Sequence, residues 1–311
     1  MMELESAARV VYAHMPPTPQ YRWPLLSARL GADVWLKHEN HTPVGAFKLR
    51  GGLVYFAQLG KVRGVIAATR GNHGQSVAYC AREYGVPATI VVPHGNSVEK
   101  NAAMRALGAR LLEHGHDFQA AYEHALELAR DEELHMVPSF HPLLVAGVAS
   151  ASVELLRAVP DLETLYVPIG LGSGICAAVA ARNALGLRTE IVGVVSSLAR
   201  AYAASFAERR PVEMPVTTRI ADGMAVRKPN ARALDIILRE VARLVEVSDE
   251  DVAQAIGAIF ECTHNVAEGA GAAGVAAMAK ERSRIAGRKV AAILSGGNID
   301  RDMLADVLAR R

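Results

Sequence analysis

Three cysteines in 311 residues are too few for a disulfide framework. Cys80, Cys176 and Cys262 lie far apart, form no CxxC pair and read as buried thiols of a reducing compartment. The eleven histidines make neither an HExxH motif nor a His/Cys cluster with metal-ligand spacing, so no zinc site is expected. No apolar run reaches the length of about 18 residues that a membrane-spanning helix needs. The opening MMELESAARVVYAH has early acids and no apolar core of signal-peptide length, which leads to the expectation of a cytoplasmic protein. Net charge is only +2 with the signs mixed, leaving no electrostatic case for nucleic acid or a membrane surface as partner. Repeats and low-complexity tracts are absent.

What is present is a core. Hydrophobic residues make up 51% and charged residues 21%, enough to bury one large or two modest domains. Short apolar runs at Val34–Lys37, Gly64–Ala68, Ala88–Val92, Arg110–Glu113, Thr164–Ile169, Glu190–Val195 and Val290–Leu294 read as strands, several almost free of polar residues. Helical patterns alternate with them, at about Gly74–Tyr84 before Gly85, Val98–Leu107 before Gly108, Phe118–Arg130, and after Ser248 as cap. The alternation predicts an α/β fold with parallel sheets. Arg209–Asn230, with three prolines, reads as an irregular excursion inside that fold.

Three loops carry candidate chemistry. Gly170-Leu171-Gly172-Ser173-Gly174 precedes the helical run Cys176–Leu185, so its amides and the helix dipole suit a phosphate; a plain strand-to-helix turn is the alternative. Thr69-Arg70-Gly71-Asn72-His73-Gly74 follows a strand and is more polar than capping by Asn72 or Ser76 requires. Ser295-Gly296-Gly297-Asn298 follows the last strand, where a simple turn is equally open. Lys48 sits among apolar residues in PVGAFKLRG, and desolvation would make its amine available for Schiff-base chemistry.

Taken in order, these segments resemble the fold-type II pyridoxal-phosphate enzymes, in particular the threonine/serine dehydratase and serine racemase branch. Lys37–Asn40 with Pro43–Arg50 resembles the family's Schiff-base segment, Gly71–Gly74 its asparagine loop and Gly170–Ile175 its phosphate loop. Ile220–Gly223, Glu268–Ala272 and Ser295–Asn298 resemble three further signatures, and the similarity runs from about Thr18 to Asp300. The resemblance implies a two-domain, tryptophan synthase β-like fold with parallel sheets flanked by helices. Residues 52–140 would form a small inserted α/β domain, and 1–51 with 141–311 the large cofactor-binding domain. It also implies a homo-oligomer, dimer or tetramer, acting on a small amino acid.

By the same resemblance, Lys48 holds pyridoxal 5'-phosphate as a Schiff base and then removes the substrate's α-proton. Phe47 packs beside the ring and Asn72 bonds its 3-oxygen. Gly170, Leu171, Gly172, Ser173 and Gly174 hold the phosphate, with Gly223 close by. Ser295 faces the ring nitrogen, where a hydroxyl leaves it unprotonated and favours loss of a β-substituent over a long-lived carbanion. Thr69, Arg70, Gly71, Asn72 and His73 receive the substrate. The expected reaction is β-elimination from L-threonine or L-serine to a 2-oxo acid and ammonia, the hydroxyl leaving protonated from the phosphate side.

The chain departs from the family pattern in places. Arg70 stands where racemases carry an acid/base serine, and arginine is a poor proton shuttle. This weighs against racemisation and leaves the Arg70 side chain for an anion: the phosphate, the substrate carboxylate or a second carboxylate. A dehydratase for 3-phenylserine or 3-hydroxyaspartate is therefore an alternative, and a β-replacing synthase a more distant one. Where metal-binding members have acids, this chain reads Val195 with no acid before Glu208, so no magnesium or calcium site is expected. The short tail after Ser295–Asn298 gives the further expectation of no C-terminal regulatory domain.

Overall fold

Apolar runs too short for helices form strands when both faces can be covered. The computed structural model describes residues 2–310 and contains ten strands among them. They are β1 (Gln20–Arg22), β2 (Asp33–His38), β3 (Val65–Ala68), β4 (Ala88–Val92), β5 (Arg110–Glu113), β6 (His135–Met136), β7 (Thr164–Pro168), β8 (Glu190–Ser196), β9 (Arg243–Val247) and β10 (Lys289–Leu294). β3 and β4 are buried at every position. Two sheets result. One runs β1-β2-β10-β7-β8-β9, parallel except for β1 against β2; the other runs β5-β4-β3-β6, all parallel. The architecture is the expected α/β one.

The seven strands expected from sequence lie where hydrophobicity put them. The other three carry no such signal. β1 is three residues long and mostly exposed, β6 is two residues, and β9 is a sheet edge whose RLVEV mixes charge into the run. Helix signals also hold. Ser248 accepts from the Asp251 amide while Asp251 bonds back to the Ser248 amide, a full capping box. One expectation is corrected: the helix placed at about Gly74 begins at Asn72, and neither Asn72 nor Ser76 caps it. Ser76 Oγ instead donates to the Lys48 carbonyl at 2.9 Å, and the Asn72 amide turns towards Glu268 and Asn298. Arg209–Asn230 is irregular apart from a 3-10 turn at Asp222–Met224.

Connectivity gathers the loops. β10 comes from the far end of the chain yet lies between β2 and β7, with Leu294 level with His38. Ser295 and the turn after β7 therefore leave adjacent carboxyl ends of one sheet, the position where open α/β folds bind ligands. The helix Lys48–Ala57 is pressed onto the helix Pro142–Ala158. A Cβ at Gly147 would lie 2.2 Å from the Arg50 carbonyl, so only glycine permits that approach. Among the described residues no helix is long and apolar enough to cross a membrane.

Candidate active site

Lys48 opens its helix and is half-buried as a residue, with its amine walled in by neighbours. Nζ lies 3.3 Å from Ser173 Oγ and 5.0 Å from the centre of the Phe47 ring. Burial alone pushes its pKa down to about 8, so a sizeable fraction is neutral amine near neutral pH. Phe47 is held in turn by its amide, which donates to the Ser295 carbonyl at 3.0 Å. Phe47, Gly174 and Ser295 line one small cavity.

Ser173 begins the helix Ser173–Ala184, which has no side-chain cap. Ile169 N–H donates to Val194 and Cys176 N–H to Gly172, but the amides of Gly170, Leu171, Gly172, Ser173, Gly174 and Ile175 find no acceptor among the described residues. The turn is rigid nevertheless. Tyr202 Oη donates to the Leu171 carbonyl at 2.9 Å, and a Cβ at Gly170 would sit 2.3 Å from the Gly223 carbonyl. Gly172 has φ +107°, and a Cβ there would meet Ala233 Cβ at 2.5 Å. A fixed crown of free amides at a helix N-terminus fits a phosphate group. Beside it stands a desolvated amine that fits an aldehyde. Together they fit pyridoxal phosphate.

The asparagine loop lies on the other sheet, after β3. Thr69 Oγ1 accepts from Gly71 N–H at 3.0 Å. Asn72 Nδ2 donates to Glu268 Oε1 at 2.6 Å, and Asn72 Oδ1 accepts from Asn298 Nδ2 at 2.8 Å. His73 is kept neutral: burial first, then the Lys48 charge, pushes its pKa down to about 3. Arg70 is exposed and unpaired among the described residues, on the wall of a cavity of about 150 Å³ shared with Lys100, Arg219, Asp222 and Glu268. No wall of that cavity comes from the Gly170–Gly174 turn, so of the anions considered for Arg70 the phosphate is not beside it.

A family model described as "Pyridoxal-phosphate dependent enzyme" matches residues 11–296. The chain belongs to that family. An L-threonine ammonia-lyase from Thermotoga maritima is 35% identical over 288 residues, covering 91% of this chain and 72% of the relative. A biosynthetic L-threonine dehydratase from Haemophilus influenzae is 34% identical, covering 93% of this chain but only 58% of that relative. Among solved structures, the processed form of threonine deaminase isoform 2 from Solanum lycopersicum superposes with TM-score 0.91 at 29% identity, over 100% of this chain and 94% of that one. The fold is therefore fold-type II, and the cofactor of the family is pyridoxal phosphate.

Sequence reasoning did not single out Lys100 or Glu154, and it placed Lys37, Glu39, Arg50 and Asp222 inside motifs without giving any of them a role. Lys100 and Asp222 form an ion pair at 2.8 Å beside Glu268, joining the four-stranded sheet's helix Val98–Ala106 to the Asp222–Met224 turn. Arg50, Glu39, Lys37 and Glu154 form a buried ionic network two residues from Lys48. Charged residues at helix and strand positions normally read as solvated. A signal of burial was the place of Lys37 in the otherwise apolar run VWLKH. Val195, in the acid-poor stretch, packs in the core at 2% exposure.

Proposed function

We propose that the chain eliminates water from a β-hydroxy amino acid such as L-threonine or L-serine, giving a 2-oxo acid and ammonia. The observation that carries this is the desolvated Lys48 amine placed 3.3 Å from Ser173 at the mouth of the free-amide turn. When bound, the cofactor supplies an aldehyde for amines and a ring that accepts the electrons left at the substrate's Cα.

The rest is the work of this chain's residues. Lys48 would anchor the cofactor and, once free, take the α-proton; its lowered pKa keeps the amine available as a base. The Gly170–Gly174 amides would bind phosphate without adding positive charge near Lys48. Phe47 and Gly223 would close the sides, and the neutral Ser295 hydroxyl would meet the ring nitrogen. Asn72, its amide fixed by Glu268 and Asn298, would present its remaining N–H to the cofactor. Thr69, Gly71 and the neutral His73 would receive the substrate carboxylate, with Arg70 at the rim. We place these roles on a large unit of residues 1–51 and 141–311 and a smaller inserted one of 52–140, assembled as a homo-oligomer.

A panel of β-hydroxy amino acids, assayed for 2-oxo acid and ammonia, tests the reading. Threonine or serine should be turned over; release of neither product from any member of the panel overturns it.

A further inference from the structure

Glu268 is a buried carboxylate that the scheme above uses only to orient Asn72. It precedes the helix Gly269–Lys280 yet makes no capping bond to it. Its backbone is fixed by Glu268 N–H donating to the Gly296 carbonyl at 3.1 Å. Oε1 accepts from Asn72, while Oε2 is buried without a hydrogen-bond partner and lies 3.8 Å from Lys100 Nζ. The side chain faces the cavity of about 150 Å³ that begins at Arg70, the neighbour of Gly71 and Asn72. An orphaned buried oxygen costs stability unless something donates to it or it carries a proton itself.

We propose that Glu268 is the acid that protonates the leaving β-hydroxyl of the substrate. The inference rests on the elimination reading. Lys48 takes the α-proton, and the electron pair left at Cα forms the Cα–Cβ double bond. The Cβ–O bond breaks with its pair on oxygen, that oxygen takes the Glu268 proton, and water leaves into the cavity. Glu268 is left as a carboxylate facing the Lys100 ammonium and regains its proton from solvent, so no oxidant or second reactant is needed. This differs from protonation by the phosphate, the route expected from resemblance.

The surroundings suit an acid working near neutral pH. Burial raises the Glu268 pKa, Lys100 lowers it, Asp222 raises it and the Asn72 bond lowers it, leaving it at about 7. The remaining charged groups on the cavity wall are Arg70 and Arg219, which oppose proton uptake, and Asp300, whose carboxylate accepts from Ser97 Oγ.

The test compares leaving groups in the holoenzyme. Glu268→Gln keeps an acceptor for Asn72 but has no proton to give. Its kcat on L-serine or L-threonine should fall by about 100-fold or more. Turnover of β-chloro-L-alanine, whose chloride leaves unprotonated, should stay near the unaltered rate, as should exchange of the α-proton with deuterated solvent. The absorbance spectrum of the bound cofactor should be unchanged. In the unaltered enzyme the rate on serine should decline as pH rises through about 7, a limb Glu268→Gln lacks. Lys100→Met, which removes a cation beside the carboxylate, should move that limb to higher pH even if Glu268→Gln does not fold. Parallel losses on serine and chloroalanine would reduce Glu268 to a positioning residue, and an unaffected serine rate would remove it from the reaction; either overturns the proposal. An unaltered enzyme that processes chloroalanine but no β-hydroxy amino acid overturns the substrate reading, and this inference with it.

Discussion

Removing one carboxylate from the ionic network behind Lys48 should cost more than any surface substitution in this chain. Arg50, Lys37 and Glu39 are fully buried, and the Glu154 side chain is 8% exposed. Arg50 grips Glu39 at 2.7 and 3.0 Å and Glu154 at 2.6 and 3.0 Å, with Ser150 Oγ accepting at 2.8 Å. Lys37 bonds Glu154, the Thr18 carbonyl and Gln20. Two cations and two carboxylates balance, so Glu154→Leu leaves one positive charge uncompensated. Breaking a buried pair from one side costs about 3–5 kcal/mol. At about 2 °C per kcal/mol for a chain of this size, the midpoint should drop by roughly 6–10 °C. Urea and thermal unfolding followed by circular dichroism measure both. The neutral double replacement Lys37→Met with Glu154→Leu should recover part of the loss, because Arg50 and Glu39 still pair. A loss below about 1 kcal/mol for Glu154→Leu, the range of a solvated surface pair, refutes the reasoning.

Other perturbations separate cofactor binding from stability. Lys48→Ala should abolish the visible absorbance of cofactor bound at its lysine; a surviving band would place the attachment elsewhere. Gly172→Ala forces a side chain onto φ +107° and against Ala233, so it should cost about 1–3 kcal/mol and weaken cofactor retention on gel filtration. His73 has a folded pKa of about 3 against an ordinary 6.5. The unfolded chain binds the extra proton between those values, so His73's contribution is full above pH 6.5 and lost as pH falls towards 3, by roughly 1 kcal/mol per unit. Unfolding midpoints from pH 7 to 4 should show that acid limb, and His73→Asn should flatten it.

The strands and loops were legible because burial on both faces writes itself into composition. Val65–Ala68 and Ala88–Val92 cannot be much else. The Gly170–Gly174 turn was legible as a run of free amides before a helix, because backbone amides do not depend on which side chains surround them. Pairings across the cleft were not legible. Asn72 meets Glu268 across 196 positions, and Lys100 meets Asp222 across 122, with no periodicity linking them. The Asn72 reading shows the limit: sequence made it a candidate for capping and for the cofactor, and only the fold shows both ends of its amide already engaged from the other sheet's loops.

Charge is distributed differently around the Lys48 amine and the Glu268 carboxyl. Around Lys48 the described donors are neutral: the Ser173 hydroxyl, the free amides of the glycine turn and the uncharged His73. Desolvation is accordingly the cause of the Lys48 shift, with no charged side chain contributing. An arginine holding the phosphate would have added a cation there and driven the amine's pKa further down, at the cost of its strength as a base. The Arg50, Glu39, Lys37 and Glu154 charges behind Lys48 are paired with one another, while Lys100, Asp222, Arg70 and Arg219, beyond Asn72, share a cavity wall with Glu268. Burial lifts the Glu268 pKa, Lys100 lowers it and Asp222 raises it, leaving it at about 7, near the value of about 8 at which burial holds Lys48. Neutral dipoles beside Lys48 and ions of both signs beside Glu268 give the two groups surroundings in which their pKa values move in opposite directions, one down and one up.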